Sequence, residues 1–89
     1  MRVLLQANFR EIAGKREIVE KINTDTTLKK ILDKLAQKYR NDFQQLIDFK
    51  TGSISLEFLV SVNGRITRDI DTKLNSDDIV MIAIPAGGG

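Results

Sequence analysis

Ile79-Val80-Met81-Ile82-Ala83-Ile84-Pro85-Ala86-Gly87-Gly88-Gly89 closes the sequence, and its two halves have opposite chemistry. Residues 79–84 form an unbroken apolar run. Such a run suits a central strand, covered on both faces or paired between neighbours. Pro85, the only proline, has no N–H to give to a ladder and ends the strand. The glycines beyond it carry no side chain and cannot pack. A buried strand therefore leads directly into the thinnest peptide available.

Residues 2–7 are the other strongly apolar run, with Val3, Leu5 and Ala7 on one face of a strand. These two strands are expected side by side in the middle of a mixed sheet. Upstream of the last strand, Leu56, Phe58, Val60 and Val62 alternate with Glu57, Leu59 and Ser61, which is strand periodicity. Asn63-Gly64 follows directly. Between two strand-like runs this pair predicts a tight hairpin, because both central positions need φ > 0. Residues 65–68 are the return strand, and residues 74–78 form a turn. Near the start, residues 15–22 read as a strand with Ile18, Glu20 and Ile22 in alternation. It is expected antiparallel to the first, joined by one helical turn or loop over Phe9-Arg10-Glu11-Ile12-Ala13-Gly14.

Between these strand regions lies the clearest helical period in the chain. Leu28, Ile31, Leu32, Leu35 and Tyr39 fall at i, i+3, i+4, i+7 and i+11. Asn23-Thr24-Asp25-Thr26-Thr27 supplies helix-capping residues before it. Lys29, Lys30, Asp33, Lys34, Gln37 and Lys38 take the outer side, as a solvated helix face. Phe43, Leu46 and Ile47 suggest a short second helix, and Lys50-Thr51-Gly52-Ser53 a turn. The order is β-β-α-β-β-β. The fold class expected is α+β, a mixed sheet packed on one main helix over residues 1–84, with residues 85–89 a flexible tail.

Composition narrows the chemistry. Eighty-nine residues make one small domain, with little room for a large internal active site. There is no Cys, His or Trp. Thiol nucleophiles, disulfides, imidazole catalysis and Cys/His metal sites are thereby excluded. No calcium-loop spacing is present either, so no metal site is expected. Fourteen basic residues against twelve acidic leave a charge of only +2. The aromatics Phe9, Tyr39, Phe43, Phe49 and Phe58 are scattered, which argues against nucleic acid as a partner. No apolar run approaches the ~20 residues of a membrane span. A soluble, cytoplasmic protein is expected.

The tail is the one candidate for chemistry. A frayed end is the plainer reading. The chemical reading is that a Gly-Gly terminus threads a narrow channel and presents its α-carboxylate to another protein's active site. A carboxylate is a poor electrophile until adenylated. Once activated with ATP, it can be captured by a sulfur or nitrogen nucleophile. A chain without Cys or His suits the protein that is activated, not the one that activates.

The hairpin, the single long helix and a last strand entering Gly-Gly together resemble the ubiquitin-like β-grasp sulfur carriers. The MoaD-like small subunits of molybdopterin synthase are the nearest branch. The resemblance rests on Phe9-Arg10-Glu11-Ile12-Ala13-Gly14, Thr27-Leu28, Val62-Asn63-Gly64, Leu74 followed by Asp77-Asp78-Ile79-Val80, and Ile84-Pro85-Ala86-Gly87-Gly88. It implies a ubiquitin-like fold and a carrier that is no enzyme alone. The Gly89 carboxylate would be adenylated and then thiocarboxylated, with Gly87 and Gly88 as its slender stem. Implied partners are an E1-like adenylating enzyme and the large catalytic subunit of molybdopterin synthase, in a heterotetramer. The carrier would bind no cofactor, ATP being used by the activating enzyme. The sheet face towards the partners would include Leu4, Gln6, Ile66, Met81 and Ala83. Two features depart from the family. The tail has three glycines after one proline, where two glycines after a Pro-Pro pair are usual. Gln6 and Ala83 stand where bulky aromatics are common, so a flatter surface is expected. The alternatives are a ubiquitin-like protein modifier, a carrier for tRNA thiolation or thiazole synthesis, or a binding domain with an inert tail. The insert at residues 40–53 argues against the shorter thiazole carriers.

Overall fold

A computed structural model describes residues 1–85. The elements in chain order are β1 (Arg2–Leu5), α1 (Ala7–Ala13), β2 (Glu17–Val19), α2 (Leu28–Tyr39), a 3₁₀ turn (Asn41–Gln45), β3 (Leu59–Val62), β4 (Arg65–Ile66) and β5 (Ile79–Ala83). The sheet runs β2-β1-β5-β3-β4. β1 and β5 are the parallel central pair, and β2, β3 and β4 join antiparallel, which makes the sheet mixed as expected.

The two central strands alternate cleanly. Val3, Leu5, Val80 and Ile82 are buried beneath α2, while Leu4, Ile79 and Met81 are half-buried on the opposite face. α2 contributes Leu28, Ile31, Leu32 and Leu35 to the core. Thr27 caps it, its Oγ1 accepting from the Lys30 N–H at 3.5 Å. No glycine follows the helix, and Arg40 makes the exit at φ 59° and ψ −160°. Only glycine enters that region without strain.

α1 is a correction. The segment read as a single turn or loop is a seven-residue helix, and β1 stops at Leu5 where the sequence suggested Ala7. Ala7 has φ 52° and turns the chain off the sheet. The gain is the burial of Phe9, whose ring meets Phe43 and Phe58 edge-on at 5.0 and 5.4 Å. Gly14, at φ 74°, closes the helix by donating to the Arg10 carbonyl at 2.9 Å.

Other boundaries are shorter than the alternation implied. β2 ends at Val19, and the next inward position is a carboxylate. Glu20 is buried, and its Oε2 accepts from Lys34 Nζ at 2.7 Å. Phe43 sits in the 3₁₀ turn, and Leu46 and Ile47 lie beyond it, so the second helix suggested there is not α-helical. Leu56 lies outside β3 and is exposed. The Ser55 hydroxyl accepts from the Glu57 N–H at 3.2 Å and holds a turn there instead. β4 ends at Ile66. Further on, the Arg68 carbonyl accepts from Ile54 N–H at 3.2 Å, leaving β3 behind.

The Asn63-Gly64 turn has the positive φ its sequence predicts at both positions, 53° and 83°. Its asparagine also ties the hairpin to β5. Asn63 Oδ1 accepts from the Ile79 N–H at 2.9 Å, and Nδ2 donates to Asp78 Oδ1 at 2.8 Å.

Candidate functional site

The sheet face away from α2 is the surface the sequence points to. The strand registers set Glu17, Leu4, Met81, Ser61 and Ile66 in one row across all five strands. A second row holds Val19, Arg2 and Ile79. On the other side of the Met81 row, Ala83 pairs with Leu59. Gln6 lies just beyond β1, and its backbone N–H donates to the Ile82 carbonyl at 3.1 Å. Its side-chain Nε2 donates to Met81 Sδ at 3.3 Å. Leu4, Gln6, Ile66, Met81 and Ala83 are therefore gathered on one face.

They do not contribute equally. Ile66 is 62% exposed and projects from the sheet edge. Leu4 and Met81 are half-buried and form the middle of the strip. Ala83 is only 6% exposed, so it is floor and offers a partner almost no area. Between Met81 and Ile66 lies the small, buried Ser61, which keeps that part of the surface low.

Val19 was missed. It is 73% exposed and extends the apolar strip to the other sheet edge. The signal was present, since placing Ile18 inward forces Val19 outward. Arg2 and Glu17 form an ion pair beside it, Nε donating to Oε1. Both are largely solvated, so the pair adds about 0–1 kcal/mol and serves more as a charged rim.

The face presents an apolar strip rimmed by the Arg2–Glu17 pair. Among the described residues no three metal-ligating side chains come together. Among them too, no helix is long and apolar enough to cross a membrane. Gly87, Gly88 and Gly89 lie outside the described residues, as does Ala86. What the fold fixes is their point of departure. β5 holds Met81 and Ala83 in the strip, and the chain continues through Ile84, which packs on the core, to Pro85. Gly89 stands six residues beyond Ala83, a fully extended span of at most about 20 Å.

No curated protein sequence matches the chain. Solved structures do. The HVO 2177 protein of Haloferax volcanii is 28% identical with a TM-score of 0.81, over 99% of this chain and 84% of that one. The small archaeal modifier protein 1 of Methanosarcina acetivorans is 27% identical with a TM-score of 0.75, over 99% and 94%. A putative molybdopterin converting factor subunit 1 from Pyrococcus furiosus is 20% identical with a TM-score of 0.74, over 96% and 95%, and shows likeness of fold. The model of the ThiS family matches residues 3–89. The chain belongs to the ThiS family and has the β-grasp fold of the ubiquitin-like sulfur carriers.

Proposed function

We propose that this protein carries sulfur as a C-terminal thiocarboxylate and donates it in molybdopterin biosynthesis, as the small subunit of a molybdopterin synthase. The observation that carries the reading is the placement of β5. One strand supplies the half-buried middle of the apolar strip and then leads into the glycine tail. A partner gripping the strip has the tail within reach of its active site. An E1-like enzyme uses ATP to convert the Gly89 carboxylate to an acyl adenylate with loss of pyrophosphate. A sulfur nucleophile then displaces AMP. The large catalytic subunit receives the charged tail and supplies the acid–base groups for sulfur transfer, this chain having no Cys or His.

The experiment is reaction with an E1-like enzyme, ATP and a sulfur donor, followed by intact mass measurement. Replacement of one oxygen by sulfur adds about 16 Da to the carrier. Transfer of that sulfur to the cyclic pterin precursor by the large subunit tests the molybdopterin step. A second reading, a protein modifier, draws on the likeness to a small archaeal modifier protein. It shares the adenylation but ends in an isopeptide on a substrate lysine, which the same mass measurement separates.

A further inference from the structure

β2 is one end of the sheet, and its ladder with β1 shows which of its backbone groups are used. Leu5 N–H donates to the Arg16 carbonyl at 2.8 Å, and Glu20 N–H to the Met1 carbonyl at 2.9 Å. In an antiparallel pair such bonds fall on alternate residues. Arg16, Ile18 and Glu20 therefore face β1, while Glu17 and Val19 turn their N–H and C=O groups outward. Among the described residues no backbone bond reaches those four groups. An open edge of this kind is a template for another strand.

The side chains around it carry mainly one sign of charge. Lys15, Arg16 and Lys21 flank β2 and are exposed. α2 turns a row of lysines to the same edge. The bond from Lys34 Nζ to the buried Glu20 carboxylate fixes which side of the helix this is. Lys30 and Lys38 stand one turn to either side of Lys34, both exposed. The acids of this region, Glu17 and Glu20, are already paired with Arg2 and Lys34. In a chain of net charge only +2, the basic excess is thus gathered at one sheet edge. Lysines here repel a second copy of the same edge and attract an acidic segment. The outer face differs, since Val19, 73% exposed, carries the apolar strip to this edge.

We propose that the free edge of β2 accepts an extended acidic segment of a partner protein as a sixth strand. Strand alternation defines that segment. Its residues beside Glu17 and Val19 point to the outer face, where apolar side chains meet Val19. Its residues beside Ile18 point to the helix side, where carboxylates meet the lysines of α2. An alternation of acidic and apolar residues is what the edge selects. Main-chain bonds give affinity, and the two faces give specificity. Nucleic acid has no strand to pair with the open backbone, and residues 15–22 offer its bases no aromatic ring. With two residues to pair, the contact is short and weak. It lies two strands from β5 and does not depend on the sulfur chemistry proposed above.

The probe is the blocked peptide Glu-Val-Glu-Val-Glu-Val-Glu, titrated into the isotope-labelled full chain to about 1 mM, where a contact of millimolar Kd is half formed. Expected are NMR shifts centred on the Glu17 and Val19 amides, with hydrogen exchange at those two slowed at least about twofold as free N–H groups become bonded. Val19→Pro removes an outward N–H that the fold does not use, and an edge strand tolerates proline there. Its melting temperature should match the parent while affinity falls at least tenfold. Lys30→Glu with Lys38→Glu, at two exposed positions, should weaken the peptide as much and carries the test if the proline variant does not fold. Absence of shifts at Glu17 and Val19 at the highest peptide concentration overturns the proposal. So does equal binding of Glu-Glu-Glu-Glu-Val-Val-Val, which keeps the charge and loses the alternation. Tighter binding of an oligothymidylate to the same lysines would make the edge a nucleic-acid surface and overturn it too.

Discussion

At the scale of single residues, backbone conformation decides more than side-chain contact. Asn63 and Gly64 take positive φ in a turn built for it, and Asn63 then spends both ends of its amide on Asp78 and Ile79, at the entry to β5. The turn was legible because the dipeptide is short and its φ requirement is local. The link to Asp78 was not, because it joins residues far apart in sequence. Arg40 is the opposite case, holding a conformation its side chain opposes. Its N–H donates to the Ala36 carbonyl at 3.1 Å and closes the helix, a bond that glycine would keep. Arg40→Gly is therefore expected to stabilise the fold by about 1 kcal/mol, the strain relieved outweighing the flexibility glycine adds to the unfolded chain. Chemical denaturation measures this, and a lower midpoint for Arg40→Gly would show that the exit is not strained.

Elements were legible where one face is uniformly apolar. α2 repeats its pattern over three turns, and the structure buries Leu28, Ile31, Leu32 and Leu35 as that pattern requires. Leu32 is 1% exposed. Leu32→Ala should cost about 2–5 kcal/mol through lost burial and the cavity left behind. Set against a total of about 5–15 kcal/mol, the melting temperature should fall sharply. An unchanged melting temperature contradicts the core assignment. The short elements were harder. α1 hangs on the burial of one ring, Phe9, which no local period announces. β2 breaks the apolar alternation with Glu20, whose partner Lys34 comes from another element. β3 starts late because Ser55 offers the backbone a competing turn. In each case a contact distant in sequence, or a side chain bonding the backbone, overrode a local pattern.

For the whole molecule, the sheet divides the core from the surface strip. Its inner face holds the core, its outer face gathers the strip, and its central strand leads to the tail. The family resemblance, with strand alternation, suggested that Leu4, Met81 and Ile66 share a face. It did not reveal that Ala83 is covered or that Val19 extends the strip, since exposure depends on neighbours across the sheet. Ile66→Asp should leave stability nearly unchanged, because the side chain is already mostly in water. In binding assays with an E1-like enzyme or a large catalytic subunit it should weaken docking about tenfold or more, the effect of losing one anchor of about 1.4 kcal/mol. Binding at parental strength would remove Ile66 from the docking surface. The central claim is that this fold exists to present a reactive C-terminus, and deletion of Gly88 and Gly89 tests it most directly. The deletion touches none of the described core, so melting temperature should be unchanged. It withdraws the carboxylate by up to about 7 Å, while reacting atoms must approach within about 3–3.5 Å. ATP–pyrophosphate exchange with an E1-like enzyme that activates the full chain is expected to fall to background, and the mass gain of about 16 Da to disappear. Exchange as fast with the truncated protein as with the full chain would contradict the account.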